Sequence, residues 1–244
     1  MKRFYQEVSV ATGAGGHQIL LDGRPVRTPA RQAMVLSSPA LAEAVADEWR
    51  AQGEAIDRAG MGLTRLATTA LDRMPALRGA AIEEVVGYAL TDLLCYRATE
   101  PAELAERQRL TWQPWLDWLA EAHGARLVVT TSMLPVTQPE PAVARLRAAI
   151  ERLDGWRLVG LHGATTALGS VVLGLALLEG RIDAEQALAA SLLDELFEIE
   201  RWGRERDAER RQQALRRDVA AAANFLACLR TPATAARPRA DTDE

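Results

Sequence analysis

The chain has 244 residues, of which 48% are hydrophobic and 25% charged, with a formal net charge of −4. That length buries a sizeable core, and the mildly acidic balance argues against a general grip on nucleic acid. Two cysteines, Cys95 and Cys228, are too few and too far apart for a disulfide framework or a metal knuckle, so both are read as reduced, buried thiols.

The N-terminus carries Lys2 and Arg3 but no long apolar stretch, and Glu7 and a strand-like run follow at once. It is read neither as a secretory signal nor as a transit peptide, so the expectation is a bacterial cytoplasmic chain or a mature form already processed. Phe4, Val8 and Val10 form the first β-compatible run, and Gly13, Gly15 and Gly16 suit a turn. Gln18–Leu21, Asp22-Gly23 and Arg24–Arg27 make a hairpin signal, because Asp-Gly tolerates the positive φ of a type I′ turn. Pro29 stops that strand, and Met34, Val35 and Leu36 begin another.

At Ser38-Pro39 the period changes, with Ser38 as cap and Pro39 as first helical residue. From there helices are predicted over residues 39–49, 63–74, 80–88, 103–122, 142–153, 165–178, 184–202 and 208–229, with a short strand over 126–130 and Asp183 as a cap. Leu158 to Leu178 carries no charge over a length that could span a bilayer, but its glycines, threonines, His162 and Ser170 favour a central core helix. Residues 231–244 are rich in Pro, Ala and charge and read as a disordered tail. The expectation is an α+β protein: a small β-rich N-terminal domain over 1–37, with its completion by later segments left open, then an all-helical domain over 38–230.

Catalytic templates fail in turn. Gly13-Ala14-Gly15 resembles the start of a dinucleotide loop, but Gln18 stands where the third glycine belongs and no helix follows. Gly169-Ser170 is half of a nucleophile elbow, with Leu168 in place of the first glycine. His17, His123 and His162 lie in separate segments without metal-ligand spacing, and no Glu-x-x-His pair is present. No catalytic residue, metal or cofactor is expected.

Two clusters stand out. Trp112, Trp115 and Trp118 share one helical face; they either anchor a partner or cement the helices to the β part, and the internal role is favoured. On a wheel of about 100° per residue, Leu192, Leu193, Leu196 and Ile199 define an apolar arc. Asp194, Glu198, Arg201 and Glu205 lie opposite, while Glu200 falls inside the arc. A carboxylate there needs an Arg, hydrogen bonds or a proton, so Glu200 is either an internal salt-bridge partner or a binding residue. The arginines beyond Trp202 alternate with acids, a mixed-charge surface and no polyanion site.

With those residues in view, the chain resembles the chaperone family that assembles the catalytic head of F-type ATP synthase. The resemblance is carried in order by Arg3-Phe4-Tyr5, the run Leu21 to Pro29, Leu41-Ala42, Glu48-Trp49, Gln52 and the run Thr91 to Ala98. Gln108, Trp112, Pro114 and Glu198 to Gly203 complete it. It implies a non-enzymatic, ATP-independent chaperone that binds the free α subunit and prevents its aggregation until the β subunit replaces it. It also implies a bacterial cytoplasmic location, with the mitochondrial matrix for eukaryotic relatives, and a monomer without nucleic acid or stable membrane insertion. The partner-binding residues it suggests are Asp194, Glu195, Glu198, Glu200 and Trp202. The competing reading is a small-molecule enzyme with an interdomain active site, which would collect Glu200, Arg97 and His162 in one polar pocket.

Overall fold

A computed structural model describes residues 1–132, 134–203 and 206–230. The tail over 231–244 and Glu205, both subjects of expectations above, lie outside the described residues.

The chain opens with an antiparallel hairpin, β1 (Val8–Gly13) and β2 (Gly16–Leu21), paired from Val8 opposite Leu21 to Gly13 opposite Gly16. Asp22 and Gly23 take φ of 48° and 75°, as the type I′ reading requires. The Asp22 carboxylate also accepts the Gln6 and Glu7 amides, which holds it below the usual carboxylate range. Short strands β3 (Arg24–Pro25) and β4 (Val35–Leu36) both pair with β2, leaving β1 at an edge. Gly16, at φ 127°, lets β4 close in, since a Cβ there would lie 2.7 Å from the Leu36 carbonyl.

Helix α1 (Pro39–Arg50) starts as expected, with Ser38 Oγ accepting the Leu41 amide. It lays Leu41, Ala42, Val45 and Ala46 on the sheet. The Glu48 carboxylate then caps the next helix, α2 (Gly62–Asp72), by accepting the Leu63 and Thr64 amides at 2.6 and 2.7 Å. These two helices share one core with the sheet; a second, larger core is built from later helices. Those are α3 (Met74–Tyr88), α4 (Ala102–His123), α5 (Glu140–Glu151), α6 (Gly155–Leu168), α7 (Val171–Leu178), α8 (Ala184–Ser191), α9 (Leu193–Trp202) and α10 (Arg206–Arg230).

Helix α10 ties the cores together. It gives Phe225, stacked on Trp156 at 6.2 Å, to the sheet side, and Val219, Ala222 and Leu226 to the helical side. Gly62 and Gly160 make room for it, because a Cβ at either would come within 2.5 Å of an α10 side chain.

Three expectations are corrected. The apolar run ending at Leu178 is two helices: Gly169, at φ 66°, ends α6, and Ser170 Oγ caps α7 by accepting the Leu173 amide. Its core placement holds, and no described helix is long and apolar enough to cross a membrane. Residues 126–130 form no full strand: Thr130 alone makes a parallel bridge to Tyr96, and the buried Gln138 side chain bonds both the Val128 amide and carbonyl in place of a neighbouring strand. The helix over 184–202 divides at Leu192, where ψ turns to 12°. The expected Asp183 cap is present as a full capping box with Gln186.

Candidate functional site

The residues singled out on α9 meet α4, which presents two adjacent rows. Its inner row, Gln108, Trp112, Leu116 and Leu119, is buried, whereas Glu103 and Arg107 stand outside it. Trp112 is fully buried and donates its indole N–H to the Ala190 carbonyl at 2.8 Å, seating α4 on α8. Trp118 meets Trp115 and His123 edge-on at 6.4 and 5.4 Å. The tryptophan cluster therefore has the internal role, within the helical core and away from the sheet junction.

Gln108 is the hub of the contact. Its amide donates to Asp194 Oδ1 at 2.7 Å, and its carbonyl oxygen accepts the Ala98 amide at 2.7 Å. The Gln108 main-chain carbonyl accepts from Arg97, whose guanidinium also reaches the Leu94 carbonyl and lies 5.1 Å from the Trp112 ring centre. Burial lowers the Arg97 pKa. Behind it, Asp92 is wholly buried and accepts the Leu94 and Val172 amides and the Ser170 hydroxyl. Burial pushes its carboxyl up to about 6 against the pull of those donors. It also drives the neighbouring Cys95 thiol to about 12, which suits an inert core cysteine.

Outside this hub runs a chain of four alternating charges. Glu103 accepts from Arg201 at 3.1 Å and from Arg107 at 2.8 Å, and Arg107 reaches Glu200 at 2.7 Å. The two guanidiniums hold Glu103 below its ordinary range, and Glu200 foremost raises Arg107. Both arginines also face the buried Phe197 ring, at 5.1 and 4.4 Å.

This arrangement corrects the wheel. Phe197, absent from the expected arc, is the buried centre of α9; Leu192, Leu193, Leu196 and Ile199 are half-buried. Asp194 turns inward to Gln108 instead of facing water, and Glu200 is exposed, paired with an arginine of a neighbouring helix. The kink at Leu192 and covering on both flanks explain the difference. One flank meets α4; on the other, Leu188, Leu192 and Leu196 line a groove of about 360 Å³ against Gln212 and Arg216 of α10. Glu195 turns toward that side, accepting from Arg211 and Gln212. Glu198 and Trp202 have no partner among the described residues, and Trp202 is 84% exposed.

The residues that a polar pocket would need do not converge: Glu200 engages Arg107, Arg97 the main chain around Gln108, and His162 approaches Glu84. Among the described residues no three His, Cys, Asp or Glu side chains are grouped to hold a metal ion.

The family described as ATP12 chaperone protein matches residues 2–120. Over nearly the whole chain the likeness is closer still: Atp12 from Paracoccus denitrificans is 39% identical, with a TM-score of 0.88, covering 94% of this chain and 98% of that one. The chain belongs to the ATP12 chaperone family. The structure of the Atu1473 protein from Agrobacterium tumefaciens is likewise 39% identical with a TM-score of 0.89, over 93% of this chain and 86% of that one. The mitochondrial protein atp12 of Schizosaccharomyces pombe is 22% identical over 242 residues, covering 93% of this chain and 83% of that protein.

Family membership makes the protein an assembly chaperone of the ATP synthase catalytic head, as its motifs imply. Many of those motif residues serve the fold. The Tyr5 hydroxyl donates to the Trp49 carbonyl, Gln52 accepts the Asp57 amide, Glu48 caps α2, and Asp92, Arg97, Gln108 and Trp112 organise the ground beneath α9. Within the α9 motif, Glu200 and Arg201 are engaged with α4, while Glu198 and Trp202 remain outward.

Proposed function

We propose that the protein holds the free α subunit of the ATP synthase head, without using ATP, and yields it when the β subunit arrives. A subunit awaiting its neighbour exposes apolar surface that self-associates, and a folded binder that covers this surface keeps it usable. The observation that carries this reading is α9: its inner face is fixed on α4 by Phe197 and Asp194, while Trp202 and Glu198 are exposed without partners among the described residues. A large, rigid aromatic beside carboxylates is a surface suited to anchoring a partner chain. Asp194 and Glu200 support that surface from within, and Glu195 ties it to α10.

The test is co-purification with the ATP synthase subunits and suppression of α-subunit aggregation without nucleotide. Glu198→Lys with Trp202→Ala is expected to weaken α-subunit capture at least about tenfold without altering the fold. Capture of the β subunit instead, or no capture at all, would refute the proposal.

A further inference from the structure

Far from α9 in the sequence, between the sheet and α2, the protein has a cleft of about 510 Å³. Its walls include Val26, Met34, Ile56 and Met61, all buried, together with the indole of Trp49. Such a surface accepts a large apolar side chain, and methionines adapt readily to its shape.

The charges around the cleft have one sign. Arg27, Arg58 and Arg65 line it, and among the described residues no carboxylate does. The other clefts mix signs: Glu185 with Arg216 beside α9, Glu84 with Arg73 beside α3, and Asp183 with Arg181 beside α7. Arg65 is paired with Asp218 at 2.6 Å, but among the described residues Arg58 has no carboxylate partner and the Arg27 guanidinium donates only to the Arg31 carbonyl.

We infer that this cleft is a second client-docking site, which takes an acidic peptide segment of the α subunit that carries one large apolar side chain. The apolar residue fills the space over Met34 and Met61, and its acidic neighbours meet Arg27 and Arg58. The inference rests on the chaperone reading for the identity of the client; the cleft itself is independent of α9.

The experiment uses the full chain and a short fluorescein-labelled peptide with one phenylalanine flanked by glutamates, beside the same peptide with lysines. Thr68→Trp projects from α2 into the cleft, where Thr68 bonds only the Arg65 carbonyl. Arg58→Glu reverses an exposed charge and keeps the test open if Thr68→Trp impairs folding. Fluorescence anisotropy is expected to show binding of the acidic peptide alone, weakened roughly tenfold or more by either substitution. Suppression of α-subunit aggregation is expected to weaken in parallel. No binding of the acidic peptide, or equal binding of both peptides, overturns the inference. So does wild-type client protection in both variants, which leaves the chaperone reading intact. Peptide binding by a wild-type protein that does not protect the α subunit would instead sink the chaperone reading and leave the cleft as a peptide site.

Discussion

Asp92 gives the sharpest energetic prediction. Its carboxylate is wholly buried against the N-terminus of α7, and its pKa rises from 3.8 to about 6 because burial outweighs the hydrogen-bond donors around it. Between those values the folded state binds more protons than the unfolded one, so the stability contributed by this group falls as pH rises through the window. At about 1.4 kcal/mol per pH unit, the gap corresponds to about 3 kcal/mol between full protonation and full ionisation. From pH 7 to pH 5 the folded form takes up most of that proton, which gains about 1 kcal/mol. Asp92→Asn removes the titration, so urea unfolding followed by tryptophan fluorescence should show the wild type gaining about 1 kcal/mol on the variant over that interval. Groups with depressed pKa, such as Asp22 and Glu103, lose their contribution only as pH falls below the ordinary carboxylate range, and they are common to both proteins. Ser170→Ala removes one donor and should shift the wild-type slope to higher pH. Parallel stability profiles for wild type and Asp92→Asn would refute the account.

Gln108→Ala leaves the Ala98 amide and the Asp194 carboxylate without their partner at a nearly dry site, and should cost about 2–4 kcal/mol in thermal or urea unfolding. Trp112→Phe keeps most of the apolar volume but strands the Ala190 carbonyl, so a loss of about 1–3 kcal/mol is expected by the same measurement. Gly174→Ala places a Cβ 2.4 Å from Thr165 Oγ1, where α6 and α7 touch, and should destabilise by about 1–3 kcal/mol; a neutral result would mean that the two helices separate freely.

The local chemistry of the sequence was legible where one residue acts on its own backbone. Ser38, Asp183 and Asp22-Gly23 hold the caps and the turn expected of them. What eluded it is the work of residues distant in sequence. Nothing at 126–130 says that the hydrogen bonds of Val128 are met by the Gln138 side chain and that only Thr130 pairs with main chain, so a β-compatible run reads as a strand. The break at Gly169-Ser170 was written in plain residues, a left-handed glycine followed by a capping serine, but the charge-free run around it invited one long helix.

The α9 surface shows the same limit. A wheel drawn on that segment treats apolar and charged residues as core and solvent, but the helix is covered on two flanks. Phe197 is buried under Arg107 and Arg201, whose aliphatic stems and flat guanidiniums cover an aromatic ring while remaining in water. Asp194 can turn inward only because Gln108, from a distant part of the chain, arrives with an amide donor. The physical distinction between a fold-supporting and a partner-facing carboxylate thus lies in the donors that other elements bring to it. By that criterion Asp194, Glu195 and Glu200 are engaged by the fold, and Glu198 and Trp202 are the two without a partner among the described residues.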